Sequence, residues 1–123
     1  TDAVSTNTAD KVVRRDESGN FAANEITAQN FDSLSDATLK TNIHPINNGL
    51  EIVGQLQGVE FRWGSDGSKS AGVIAQELEE ILPHLVHTSA DGIKSVSYNG
   101  IIAYLIEAVN ELSDKVRELE NKN

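Results

Sequence analysis

A serine and a lysine five residues apart, Ser35 and Lys40, are the pair in this chain best suited to covalent chemistry. A serine hydroxyl is a weak nucleophile until a base takes its proton. A lysine can be that base where its surroundings favour the neutral amine, and Ser-Lys pairs are a recognised variant of the Ser-His-Asp arrangement. Five residues exceed one helical turn, so an unbroken helix would not bring the two side chains together. A bend ahead of the helix start is required. Without it, Ser35 reads as a turn or N-cap residue and Lys40 as a solvated one. His44 is a second base by type, although nothing in the spacing selects it.

The remaining candidates for chemistry are weaker. Glu77, Glu79 and Glu80 read as the solvated face of a helix. Glu60 and Glu77 form a carboxylate pair only if folding brings them together, and glycoside cleavage needs a substrate cleft besides. Asp66-Gly67-Ser68 is a turn without the acidic spacing of a calcium loop. His84 and His87 flank Leu85-Val86 beside Pro83, with no carboxylate cluster to complete a metal site. The chain has no cysteine, hence neither disulfides nor thiolate ligands, and no metal or other cofactor is expected.

The elements that must position Ser35 and Lys40 follow from local pattern. Residues 1–34 are rich in Thr, Asn, Ser, Ala and Asp, with apolar residues in short pieces: Val12-Val13, Phe21, Ile26 and Phe31. Asp16-Glu17-Ser18-Gly19-Asn20 is a turn, which predicts a strand over 11–15 and extended pieces over 20–31. This segment cannot build a core alone and needs other strands or other chains. Asp36 is a suitable N-cap for a short helix or turn over 36–42, and Pro45 ends it. Leu50, Val53 and Leu56 predict a helix over 47–56. Val59 to Trp63 alternates as a half-buried strand, and Gly64 to Ser68 is a tight turn. Ala71 to Ile74 reads as a return strand or a helix entry. Ile74, Leu78, Ile81 and Leu82 share one face of a helix over 74–82. Leu85-Val86-His87 and Lys94 to Tyr98 read as strands around an Asp91-Gly92 turn. Trp63 and Tyr98 are the expected anchors of a small core.

The last helix, from about Tyr98 to Glu120, carries a seam: Ile102, Leu105, Val109, Leu112, Val116 and Leu119, spaced 3, 4, 3, 4, 3. Only this seam is apolar over 109–120, which predicts a coiled coil there. Over 101–108 the extra apolar residues predict packing on the globular part as well. β-branched residues at a and Leu at d favour, by themselves, a parallel dimer.

Size and charge restrict the partners. The chain of 123 residues holds one modest core, and aromatics are only 5 % of it. A net charge of −9 opposes nucleic acid and anionic membranes. There is no signal peptide and no apolar run long enough to span a bilayer. A start at Thr1 without methionine reads as part of a longer chain.

From Leu34-Ser35-Asp36 onward the sequence resembles the C-terminal intramolecular chaperone domain of bacteriophage tail spikes and tail fibres, the S74 self-processing peptidases. The resemblance rests on Ser35-Asp36, Leu39-Lys40 and Asn42-Ile43, on Leu56 through Phe61 with Trp63, and on Gly72-Val73-Ile74-Ala75-Gln76-Glu77. It continues through Leu82-Pro83 with Val86, Ser95-Val96-Ser97-Tyr98 and Leu105-Ile106-Glu107-Ala108. Among tail fibres, it points towards the L-shaped fibre of T5-like phages.

The resemblance implies an α+β fold: a small mixed globular domain with a long C-terminal helix (about 99–120) in a trimeric coiled coil. It divides the chain into a fibre end of extended strands, 1–34, and a chaperone domain, 35–123. It implies a homotrimer that registers three fibre chains, promotes folding of the attached segment and then cuts itself off in the host cytoplasm. Residues 1–34 would stay in the virion. Ser35 becomes the nucleophile and Lys40 the general base, with Leu34–Ser35 as the expected scissile bond and the bond on the other side of Ser35 as the second choice. Asp36 and Asn42 are candidate supports of the site. A trimerisation module without catalysis is the alternative.

Overall fold

The computed structural model describes residues 2–122. The chain divides into two units, Thr1–Asn42 and Ile43–Asn123, a division later in sequence than the 34/35 boundary expected from the resemblance.

In the first unit, β1 (Ala3–Val4) and β2 (Val12–Val13) pair in parallel, with Ala3 opposite Val12 and Val4 opposite Val13. The predicted strand over 11–15 contracts to Val12–Val13, and no strand forms over 20–31. The turn at Asp16 forms as expected. Its carboxylate accepts the backbone N–H groups of Ser18 and Asn20 at 2.9 and 2.8 Å, and Gly19 takes a positive φ of 86°. No described residue of this unit is buried. Val12, Val13, Phe21, Ile26, Phe31 and Leu34 all stand exposed, so the hydrophobic drive that would lengthen the strands has nothing to act against within this unit.

The second unit is α+β. It comprises α1 (Gly49–Val53), the hairpin β3 (Val59–Arg62) and β4 (Lys69–Gly72), α2 (Ala75–Ile81), the hairpin β5 (Val86–Thr88) and β6 (Lys94–Val96), and α3 (Tyr98–Asn121). Both hairpins are antiparallel, pairing Phe61 with Ser70 and His87 with Ser95. Helix α1 is shorter than the predicted 47–56 because Asn48 takes a left-handed conformation (φ 61°) and fixes the start. Ala71–Ile74 resolves as the end of a return strand and the lead into α2, with Ile74 as N-cap.

The core is small. Leu78, Leu82 and Ile101 are buried, with Ile52, Leu56, Val73, Ile81, Leu85, Val86, Val96 and Tyr104 packed around them. Ile74, expected on the same face, sits at the helix mouth and is exposed. Trp63 is also no core anchor. It is 55 % exposed and sits edge-to-face with the Phe61 ring, because it follows the end of β3 where the chain turns. Tyr98 is half exposed, yet its hydroxyl accepts the Val73 N–H at 3.2 Å. A Cβ on Gly72 would lie 2.3 Å from that hydroxyl, so any larger residue would displace the Tyr98 side chain from this contact. Glu79 departs from the solvated face and pairs with Lys94 on β6 at 3.1 Å. Glu60 pairs with Lys69 across its hairpin at 2.9 Å, an arrangement that gives it a structural partner.

The first turns of α1 press against α3. A Cβ on Gly49 would lie 2.9 Å from the Ala108 nitrogen and 3.0 Å from the Glu107 Cβ. At this approach the Glu111 carboxylate accepts the N–H groups of Gly49 and Leu50, each at 2.9 Å. Asn48, the N-cap by position, makes no side-chain cap bond, so Glu111 of another helix does that work. Glu111→Ala should cost about 1–3 kcal/mol in denaturant unfolding. Amide exchange at Gly49 and Leu50 should accelerate in the same variant.

Candidate active site

The serine–lysine pair lies within the first unit, and its geometry is set by one short turn. Asp36 caps a 3-10 turn over Ala37–Leu39, its carboxylate accepting the Thr38 backbone N–H at 2.9 Å and the Thr38 hydroxyl at 2.8 Å. These bonds, the backbone one first, hold the Asp36 carboxyl below its usual range. A depressed carboxylate stabilises its fold above its unfolded pKa and loses that contribution as pH falls through the folded value. The cap therefore persists into mildly acid solution.

Ser35 precedes this turn and Lys40 follows it in extended conformation (φ −123°, ψ 153°). The bend that the five-residue spacing requires is thus present. Lys40 Nζ donates a hydrogen bond to Ser35 Oγ at 2.8 Å. Both side chains are exposed, and Leu34 beside them is 86 % exposed. Asn42 adopts a positive φ of 53°, turning the chain shortly after Lys40. Of the sequence candidates, Ser35 and Lys40 touch, Asp36 shapes the turn that lets them touch, and Asn42 redirects the chain beyond it.

The second group of candidates lies on α3. Every seam residue faces solvent: Ile102, Leu105, Val109, Leu112, Val116 and Leu119 range from 43 to 63 % exposed. A different face of the same helix, carrying Ile101 and Ala108, is buried in the unit's own packing, with Tyr104, Glu107 and Glu111 half-buried. The helix therefore uses one stripe for its own domain and leaves the heptad stripe open. Sequence spacing alone finds the open stripe. The Glu111 cap was not foreseen, because its partners lie some sixty residues earlier and nothing local marks them.

The other histidine and carboxylate candidates do not assemble. His84 hydrogen-bonds Tyr104 at 3.0 Å, and among the described residues no three His, Asp or Glu side chains gather as a metal site would need. No helix among the described residues is long and apolar enough to cross a membrane.

In sequence order, then, a polar strand-and-turn segment precedes a small α+β domain whose last helix leaves an apolar stripe open. Residues 35–87 match the Peptidase_S74 family, described as chaperone of endosialidase. The match begins at Ser35 itself.

The chain is also similar to long tail fiber protein Gp37 of Enterobacteria phage K3, 39 % identical over 111 residues that cover 83 % of this chain and 9 % of the relative. Gp37 of Enterobacteria phage T2 is 39 % identical over 111 residues, 83 % of this chain and 8 % of the relative. Gp37 of Salmonella phage S16 is 35 % identical over 108 residues, 79 % of this chain and 14 % of the relative. The chain thus spans a small fraction of the length of these relatives. They are long tail fibres, where the sequence resemblance had pointed to the L-shaped fibre of T5-like phages.

Proposed function

We propose that residues 35–123 are an intramolecular chaperone that trimerises a phage tail fibre, promotes folding of the attached segment and releases itself by cutting beside Ser35. The hydrogen bond of 2.8 Å between Lys40 Nζ and Ser35 Oγ, at the first residue of the family match, carries the reading. In the proposed reaction the Ser35 hydroxyl attacks the Leu34 carbonyl carbon while Lys40, as the neutral amine, takes its proton. The Leu34–Ser35 amide breaks and its nitrogen leaves protonated as the free amine of Ser35. An ester between the Leu34 acyl group and Ser35 Oγ remains. Water hydrolyses it, leaving a carboxylate on Leu34 and the hydroxyl on Ser35. Burial favours the neutral amine of a lysine, and packing of neighbouring chains over the exposed pair would supply it.

The trimer has its own physical rationale. The exposed apolar residues of the first unit and the open stripe of α3 are both unsatisfied in a single chain. Inter-chain strand pairing is non-local and slow, and it leaves edges open until complete. Helices associated through their seams would hold the fibre ends at high effective concentration. The client is the segment N-terminal to Ser35, which would remain in the virion, and assembly would take place in the host cytoplasm.

A trimerisation module without catalysis is the second reading, favoured by the solvent exposure of both Ser35 and Lys40. The chaperone role is tested by comparing a longer fibre chain that ends at residue 123 with one that ends at residue 34. Soluble, protease-resistant trimer from the first and aggregate from the second is expected. Equal yields would remove the chaperone role.

A further inference from the structure

The proposed cleavage creates a group that the intact chain lacks. When the Leu34–Ser35 bond breaks, Ser35 becomes the first residue of the released domain and carries a free α-amine beside its own hydroxyl. The turn that brings Lys40 to that hydroxyl lies on the released side of the cut. The Asp36 carboxylate accepts the Thr38 N–H and hydroxyl at 2.9 and 2.8 Å. The Leu39 N–H donates to the Asp36 carbonyl at 3.0 Å, and the Lys40 N–H to the Ala37 carbonyl at 3.1 Å. The 2.8 Å contact between Lys40 Nζ and Ser35 Oγ is made between residues that stay together after release.

Three features then meet at one point. Ser35 and Lys40 are both exposed, so a small molecule in solution can reach the hydroxyl. An α-amine titrates at about 8, well below a lysine, and so supplies a neutral base in ordinary buffer without burial. An ammonium at Lys40 disfavours a second positive charge on Ser35 and pushes the amine further towards its neutral form. An N-terminal amine acting on the hydroxyl of its own residue is a known way to activate a nucleophile.

We infer that the released domain is an acyl acceptor: Ser35 Oγ takes an acyl group from an activated ester or thioester and passes it to the Ser35 α-amine. This rests on the self-cleavage reading, which supplies the free amine. In the first step Oγ attacks the donor's carbonyl carbon and the α-amine takes the hydroxyl proton. The donor's alcohol or thiol leaves with that proton, and an ester on Oγ remains. In the second step the neutral amine attacks that ester through a five-membered ring. The C–Oγ bond breaks, a proton passes from nitrogen to Oγ, and an amide remains. The second step is the first step of the proposed cleavage run backwards, with a foreign acyl group in place of that of Leu34. The amine and the ester belong to one residue, so the transfer is intramolecular and fast. The amide closes the N-terminus, and each domain accepts one acyl group.

The test uses the full fibre chain with an enteropeptidase recognition sequence in place of residues 30–34, so that residue 35 becomes an N-terminus with or without self-cleavage. The probe is p-nitrophenyl acetate. Intact mass and fragmentation should place one acetyl group on the Ser35 amine, resistant to hydroxylamine, which removes esters and leaves amides. Ser35→Ala keeps the α-amine and loses the hydroxyl, and its residue 35 should acetylate at least about tenfold more slowly. Lys40→Ala should acetylate about threefold more slowly at pH 7, because the amine then holds its proton more firmly. Equal rates in the parent and Ser35→Ala would overturn the inference, since the amine would then react unaided. An acetyl group at Ser35 that hydroxylamine removes would overturn the transfer to nitrogen. A parent chain that never cuts itself without enteropeptidase would instead refute the self-cleavage reading, and with it the natural origin of the acceptor, whatever the enteropeptidase-cut chain shows.

Discussion

If the proposed self-cleavage holds, Ser35→Ala should leave the Leu34–Ser35 bond uncut in a fibre chain that contains this segment, with a loss of rate on the order of 10³-fold or more. Lys40→Ala should have the same effect, because the hydroxyl would then lack its proposed base. The two losses should not add, since a nucleophile and its base act as a unit. Lys40→Arg is as damaging as Lys40→Ala: a guanidinium can donate to Ser35 Oγ but does not give up its proton. Asp36→Ala is a milder case. It removes a cap and loosens the turn between the two residues, leaving both reactive groups in place. Intact mass across these variants, with oligomer mass alongside, separates the effects. Cleavage that persists in both Ser35→Ala and Lys40→Ala would dismiss the pair.

The second large effect lies on the seam. Leu112→Asp should abolish association, shifting the half-assembly point by more than about 100-fold, because each copy loses burial of a leucine and gains a charge to desolvate. The globular unit should unfold within about 0.5 kcal/mol of the parent, since Leu112 is 50 % exposed in the single chain and lies outside the core cluster. Ile101→Asp should do the opposite kind of damage and destroy the fold itself, because Ile101 is 7 % exposed and packs with Leu78 and Leu82. Sedimentation and thermal unfolding on the two variants distinguish the two stripes of one helix. If Leu112→Asp melts the monomer as severely as Ile101→Asp, the stripe is part of the core and not an interface.

The readable parts of this sequence are those whose causes are local. The α3 helix, the second hairpin, the first strand of the other and α2 follow from heptad spacing, alternation and turn residues, and the structure differs from them mainly at the ends, while the return strand β4 is only half legible in Ala71–Ile74. The bend between Ser35 and Lys40 follows from Asp36, a capping residue at the right place. What was not legible depends on distant partners. The parallel pairing of Ala3–Val4 with Val12–Val13 leaves no local mark, because two-residue strands carry no periodicity. Glu111 looks like any helix-face carboxylate until α1 is seated against it. Trp63 reads as a core residue by type, while its position after the end of β3 leaves it at the surface. Apolar character predicts a wish for burial but not whether the same chain satisfies it, and the exposed Val12, Phe21 and Phe31 make the same point.

Native mass spectrometry on the wild-type fibre chain containing this segment, sampled from the start of folding, tests the account most directly. An uncut trimer is expected first, then a trimer whose chains are split between Leu34 and Ser35. No cleaved monomer should precede it. A folded, protease-resistant trimer that keeps its full mass indefinitely would contradict self-processing and leave the trimerisation module without catalysis.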